Sequence, residues 1–217
     1  MFTGVIEHLG KIDSLNVSEA GGRLRIQFER GVSIASELKI GSSIAVNGCC
    51  LTLVELGPGF FCADLSPETL QKTSFGGMSS GKLVNLELPL PAGARIGGHF
   101  VQGHVDAAGR VTKMEQRGDG WWLCVSIPGE LHRYVAGKGS LAVDGISLTV
   151  ARWKNGIAEF AIVPHTQKNT NLRDVTEGAA VNLECDILAK YVESLLKGLP
   201  ESVAGRWSIE QLVKEGF

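Results

Sequence analysis

Several side chains here are able to move protons or attack carbon, and the first lie in a run of glycines. His104 follows Gly103 in Gly97-Gly98-His99-Phe100-Val101-Gln102-Gly103-His104-Val105-Asp106. Glycine lets a ligand approach the backbone closely, and an imidazole that titrates near neutrality suits general acid–base work. His8 and His132 read as surface or core histidines; His99 stays open between the two readings. Cys50 is a nucleophile, a polar contact or a small buried hydrophobe. The five cysteines, Cys49, Cys50, Cys62, Cys124 and Cys185, are odd in number and irregularly spaced. They read as reduced thiols of a cytoplasmic protein, with no C-x-x-C pair and no zinc-ligand spacing. Lys138, just before Gly139, is either an exposed lysine or a partner for a ring carbonyl or anion. Asp186 is either a site carboxylate or a charge stabilising a helix N-terminus.

An internal repeat supplies the elements that hold these residues. A shift of 97 aligns Ser43–Val54 with Ser140–Ala151, and six of the twelve pairs are identical. The same shift pairs Cys50 with Ser147, Thr52 with Thr149, Pro67-Glu68-Thr69 with Pro164-His165-Thr166, and Val84-Asn85-Leu86-Glu87 with Val181-Asn182-Leu183-Glu184. A shift of 99 aligns Gly4, Ile6, Gly10 and Ile12 with Gly103, Val105, Gly109 and Val111, implying a loop-length difference within the first strands. Each copy reads as β: Asn47-Gly48 and Asp144-Gly145 are hairpin turns between alternating runs. Further strands are expected at 23–28, 60–65, 84–88, 121–127 and 158–163, with another starting at Phe2, Val5 and Ile6. About six short strands in about 90 residues suit a small closed barrel without an exposed edge. The expected organisation is all-β: two tandem six-stranded barrels, 1–97 and 98–186, followed by a helical segment, 187–217. In that tail Leu188, Tyr191, Val192, Leu195 and Leu196 fall on one helical stripe, ended by Gly198 and Pro200. The stripe is covered by another subunit or by the chain's own barrels. A second short helix is expected from Ser208, capped with Gln211.

Composition narrows the function. Hydrophobic residues make up 44% and charged residues 20%, with a net charge of −2, so neither nucleic acid nor an anionic membrane is an expected partner. No apolar run reaches the roughly 20 residues of a membrane span, and the N-terminus lacks the pattern of a secretory signal.

Met1-Phe2-Thr3-Gly4, Val46-Asn47-Gly48-Cys49-Cys50-Leu51-Thr52, the run 97–106, Asp144-Gly145-Ile146-Ser147-Leu148-Thr149 and Val181–Ile187 closely resemble the riboflavin synthase family, in order, over residues 1 to about 197. The resemblance implies Greek-key barrels, a C-terminal helix that gathers subunits into a trimer, and one 6,7-dimethyl-8-ribityllumazine in each barrel. The active site then lies between the N-terminal barrel of one subunit and the C-terminal barrel of a neighbour. Association with lumazine synthase is a further implied partnership. The implied reaction removes a 7α-methyl proton from one lumazine, adds a nucleophile at C7 of the other, and needs no cofactor, because one substrate loses the four-carbon unit that the other gains. Two related but unequal pockets hold identical molecules in different roles.

The resemblance assigns catalytic roles to His104, Cys50, Ser147 and Asp186, with water or the protein as nucleophile. It gives substrate contacts to Gly4-Val5-Ile6 and Gly103-His104-Val105 through strand-edge amides and carbonyls, and to Cys49-Cys50-Leu51, Ser147-Leu148-Thr149 and Lys138. The hydroxyl-rich ribityl chain falls to Asp64-Leu65-Ser66-Pro67-Glu68-Thr69 and Ile162-Val163-Pro164-His165-Thr166-Gln167. The competing reading is a non-catalytic lumazine- or flavin-binding antenna protein. A flavin oxidoreductase barrel would need a nucleotide-binding domain, and no G-x-G-x-x-G follows a strand.

Overall fold

The computed structural model describes residues 1–28 and 34–197. The expected second helix from Ser208 lies outside them. The first copy comprises β1 (His8–Ser18), β2 (Gly21–Gln27), α1 (Ile34–Glu37), β3 (Ser43–Val46), β4 (Cys49–Gly57), β5 (Phe60–Leu65), α2 (Pro67–Lys72) and β6 (Leu83–Glu87). Its strands close in the order β1-β2-β5-β4-β3-β6. Alternation explains the closure: Leu51, Leu53, Phe61, Ala63 and Leu65 point inward with Ile12, Leu24, Ile26 and Leu86, filling one dry core.

The second copy comprises β7 (Ala107–Arg117), β8 (Gly120–Ser126), β9 (Ser140–Val143), β10 (Ile146–Thr149), β11 (Arg152–Lys154), β12 (Ile157–Ile162), α3 (Pro164–Asn169) and β13 (Ala180–Cys185). The order β10-β9-β13-β7-β8-β12-β11 has seven strands rather than six, because the counterpart of β4 is interrupted at Val150-Ala151. Their partners Leu53 and Val54 sit at a register shift in the first copy, so one bulge disturbs both copies and breaks the ladder in the second. Its core gathers Val111, Leu123, Val125, Phe160, Ile162, Val181 and Leu183.

Two sequence expectations shift. The 99-residue register holds through both first hairpins, from Gln27 and Ser126 back to His8 and Ala107, and the 97-residue register begins at Ser43 and Ser140. The length difference therefore lies after the first two strands, in 28–42 against 127–139. The N-terminal residues do not start a strand either: Phe2 makes one antiparallel bridge, to Val101, and β1 begins at His8.

The copies meet along an approximate two-fold seam. Asn47 and Gly48 have φ of 43° and 74°, Asp144 and Gly145 have 46° and 77°, which are the left-handed pairs of type I′ turns. The turns stand back to back; a Cβ on Gly48 would lie 2.6 Å from the Gly145 nitrogen, and one on Gly145 the same distance from the Gly48 nitrogen. Each turn is bonded by the other copy. Asn182 Nδ2 donates to the Asn47 carbonyl at 2.8 Å and Asn85 Nδ2 to the Asp144 carbonyl at 2.9 Å. Asn182 Oδ1 accepts from the Ser74 amide and Asn85 Oδ1 from the Asn171 amide, both at 2.7 Å. Phe2, Ala45, Val101 and Ala142 form a small apolar plug beside this network.

After Asp186, α4 (Ile187–Lys197) carries the expected stripe, with Leu188, Tyr191, Val192, Leu195 and Leu196 exposed. A Glu193–Lys197 ion pair at 2.9 Å lies along the helix. No described helix is long and apolar enough to cross a membrane.

Candidate functional site

The pleat that buries Cys49 and Leu51 turns Cys50 and Thr52 to the outside of the first barrel, and in the second it buries Ile146 and Leu148 and turns out Ser147 and Thr149. Across each outward row lies a segment of the other copy. The Cys50 amide donates to the Gly103 carbonyl and the Ser147 amide to the Gly4 carbonyl, both at 2.8 Å. These glycines have φ of 81° and 78°, and a Cβ on either would come within 2.6 Å of the Cys50 or Ser147 Cβ. Glycine is therefore required for the close approach as well as for the turn.

Two buried carboxylates fix these segments. Glu87 accepts from the amides of Thr3 and Gly4 and from the Thr3 hydroxyl at 2.6–3.2 Å. Glu184 accepts from the amides of Gln102, Gly103 and His104 at 2.6–2.9 Å. Burial raises the Glu87 carboxyl above its ordinary range, against the opposing pull of the Thr3 and Gly4 bonds. Half of the main-chain N–H and C=O groups of 4–6 and 103–105, expected to meet a substrate, are thus consumed within the protein. Among the described residues the backbone of Ile6 and that of Val105, equivalent positions in the two copies, make no such bond.

His104 precedes β7 rather than lying on it; its backbone is pinned by Glu184 and its ring is exposed. His99, left open by the sequence, is buried, and its Nδ1 lies 2.7 Å from Ser147 Oγ. Its Nε2 is buried without a hydrogen-bond partner. Burial lowers the His99 pKa and the nearby Asp186 carboxylate raises it, burial being the stronger; this ring is neutral at neutral pH and able to hold or take a proton.

The remaining expected residues divide by orientation. Cys49, Leu51, Leu65, Leu148 and Ile162 face the barrel interiors, so only their main chain is open to a ligand, and burial pushes the Cys49 thiol up to about 12. Asp64 is exposed in a two-pronged ion pair with Arg23 at 2.8 and 3.2 Å, which lowers its pKa. Ser66 caps α2, accepting from the Thr69 amide at 3.0 Å, with Pro67 and exposed Glu68 in the first turn. Val163, Pro164 and His165 are exposed at the start of α3, where the His165 carbonyl accepts from Asn169; Thr166 and Gln167 are half-buried. Lys138 is exposed with φ of 70°. The sequence repeated Val-Asn-Leu-Glu without revealing its use, which is to hold the facing copy's turn with the Asn and its own copy's leading segment with the Glu.

The model of the lumazine binding domain matches residues 3–89 and 102–186. The chain is 38% identical to riboflavin synthase of Photobacterium phosphoreum, over 100% of this chain and 99% of that protein. It is also 38% identical to riboflavin synthase of Actinobacillus pleuropneumoniae, over 100% of both. Among solved structures, LumP complexed with 6,7-dimethyl-8-(1'-D-ribityl)lumazine superposes with a TM-score of 0.78 at 23% identity, over 85% of this chain and 99% of that one.

Proposed function

Because the chain belongs to the riboflavin synthase family, we propose that it converts two molecules of 6,7-dimethyl-8-ribityllumazine into riboflavin and 5-amino-6-(D-ribitylamino)uracil by four-carbon transfer. The observation that supports this most directly is the doubled, unequal surface. One chain carries two outward rows, each faced by a leading segment of the other copy, yet the Cys50 amide meets Gly103, the neighbour of His104, in one, and the Ser147 hydroxyl meets the His99 ring in the other. Identical substrates in donor and acceptor roles need that combination of likeness and difference. In this reading the unspent backbone of Ile6 and Val105 meets the two uracil-like rings, and the α2 and α3 N-termini meet the ribityl hydroxyls. His104 takes the methyl proton, with Cys50, Ser147 and Asp186 flanking the reacting carbons.

The division into 1–97, 98–186 and 187–217 belongs to the same proposal. So do a cytoplasmic location, association with lumazine synthase and a trimer gathered by the α4 stripe, with each site completed by a neighbour's barrel. Incubation with the lumazine alone, in EDTA and without nicotinamide, should consume two substrates per riboflavin formed. Tight binding with no turnover would instead identify a lumazine-holding antenna. Replacing Leu188 and Leu195 with Asp should leave monomers in sedimentation, because charge is not tolerated in an apolar contact; a wild-type mass would refute the α4 contact.

A further inference from the structure

Away from both outward rows, the start of β1 and the end of the first barrel face α3 and the turn after it across a cleft of about 600 Å³. That is ample for a small organic ligand. Three cations line it from three separate elements: Lys11 on β1, Lys168 on α3 and Arg173 in the following turn. None of them forms an ion pair among the described residues. Glu7 is the one carboxylate among the described residues of the lining, and its Oε2 already accepts from the Leu88 amide at 3.1 Å. Phe28 and Leu83 give the cleft an apolar floor. The lumazine surface proposed above shares only Ile6 and His165 with it.

The duplication supplies an internal control. By the two registers, the equivalents of Lys11, Lys168 and Arg173 are Arg110, Gln71 and Gly76, and that of His165 is Glu68. The one cation kept at an equivalent position, Arg110, spends its Nη1 on the Gly178 carbonyl at 2.8 Å. The fold itself therefore does not demand a cationic cleft; the three cations come together at only one of the two equivalent junctions between the copies.

We infer that this cleft binds a small organic phosphate, its phosphoryl group held by Lys11, Lys168 and the Arg173 fork and its apolar body resting on Phe28 and Leu83. Calorimetric titration of the full chain at low salt with phenyl phosphate, and separately with inorganic phosphate, tests this. Phenyl phosphate should bind more tightly than inorganic phosphate. The Lys168→Gln/Arg173→Gln variant should lose at least about tenfold in affinity for both, since two charge-assisted contacts are removed. The Lys72→Gln/Arg110→Gln variant, altered on the opposite side, should bind as wild type. Equal affinity for the two probes overturns the organic-phosphate assignment. Absence of binding to the wild type, or an equal loss in both variants, overturns the cleft itself.

Discussion

The first and second outward rows have the same backbone and different proton chemistry. In the first row His104, which follows the glycine bonded to the Cys50 amide, is exposed and held through its own amide. Around Ser147 the imidazole of His99 is buried and already engaged with the hydroxyl. An exposed ring can exchange its proton with a substrate and then with water, whereas a buried ring can only orient or charge one neighbouring group. The two copies thus share the backbone of the cradle and differ in the groups set around it. In the proposed reaction, deprotonation of the donor falls to the first row and activation of a hydroxyl or water at the acceptor to the second.

Exchanging the two imidazoles for amides breaks this comparison most severely. His104→Gln should fold normally and lose about 100-fold or more in kcat, the usual worth of a positioned acid or base. His99→Gln keeps a hydrogen bond to Ser147 and should lose about tenfold, within the range of misplacing a reacting group. The reverse order in single-turnover rates would move proton abstraction to the second row. Cys50→Ser, which makes the rows alike, should cost only a few-fold if water or a hydroxyl attacks C7. A loss of orders of magnitude would make the thiolate the nucleophile.

Local signals carried the architecture into the sequence: Asn-Gly and Asp-Gly turns, period-two alternation and the 97-residue register were all legible. The clamps were not, because their partners lie far along the chain. Glu87 holds residues 84 positions away and His99 meets Ser147 across 48, and no spacing rule links such pairs. Phe2, Val5 and Ile6 read as the start of a strand, but the left-handed Gly4 bends the segment toward Glu87 and the other copy. The break between β10 and β11 was equally hidden, since a bulge needs no special residue when the ladder simply slips.

The seam offers a second, smaller contrast. Asp144 Oδ2 accepts from Asn171 Nδ2 at 2.7 Å, while in the matching place Asn47 Nδ2 and Ser74 Oγ are both buried without partners. Complete burial raises the Asp144 pKa to about 6, above its unfolded value of about 3.9. Its contribution to stability is thus fully present below about pH 4 and declines as pH rises through 6. Asp144→Asn copies the first half of the seam and removes the titration. In urea unfolding, the advantage of the wild type over this variant should be larger at pH 4.5 than at pH 7, by about 2 kcal/mol. A pH-independent difference would mean that Asp144 ionises normally inside the seam.

The finest contrast is a single residue. Lys138 has φ of 70° where its counterpart Gly41 has 86°, and their amides bond equivalently, to Val150 and Leu53 at 2.8 Å. A side chain in the left-handed region costs about 1–2 kcal/mol, so the second copy retains a strained lysine where the first uses the residue best suited to the turn. Lys138→Gly relieves that strain but gives the unfolded chain more freedom, worth about 0.4–1 kcal/mol the other way. Thermal stability should therefore rise by no more than about 1.6 kcal/mol, while the ammonium group is lost completely. If that group meets a ring carbonyl or an anionic intermediate, kcat/KM for the lumazine should fall about tenfold, a modest charge-assisted contact. Lys138→Arg, which keeps the charge, should recover most of it. Wild-type kinetics in the glycine variant would take Lys138 out of the site and leave its strain without a function.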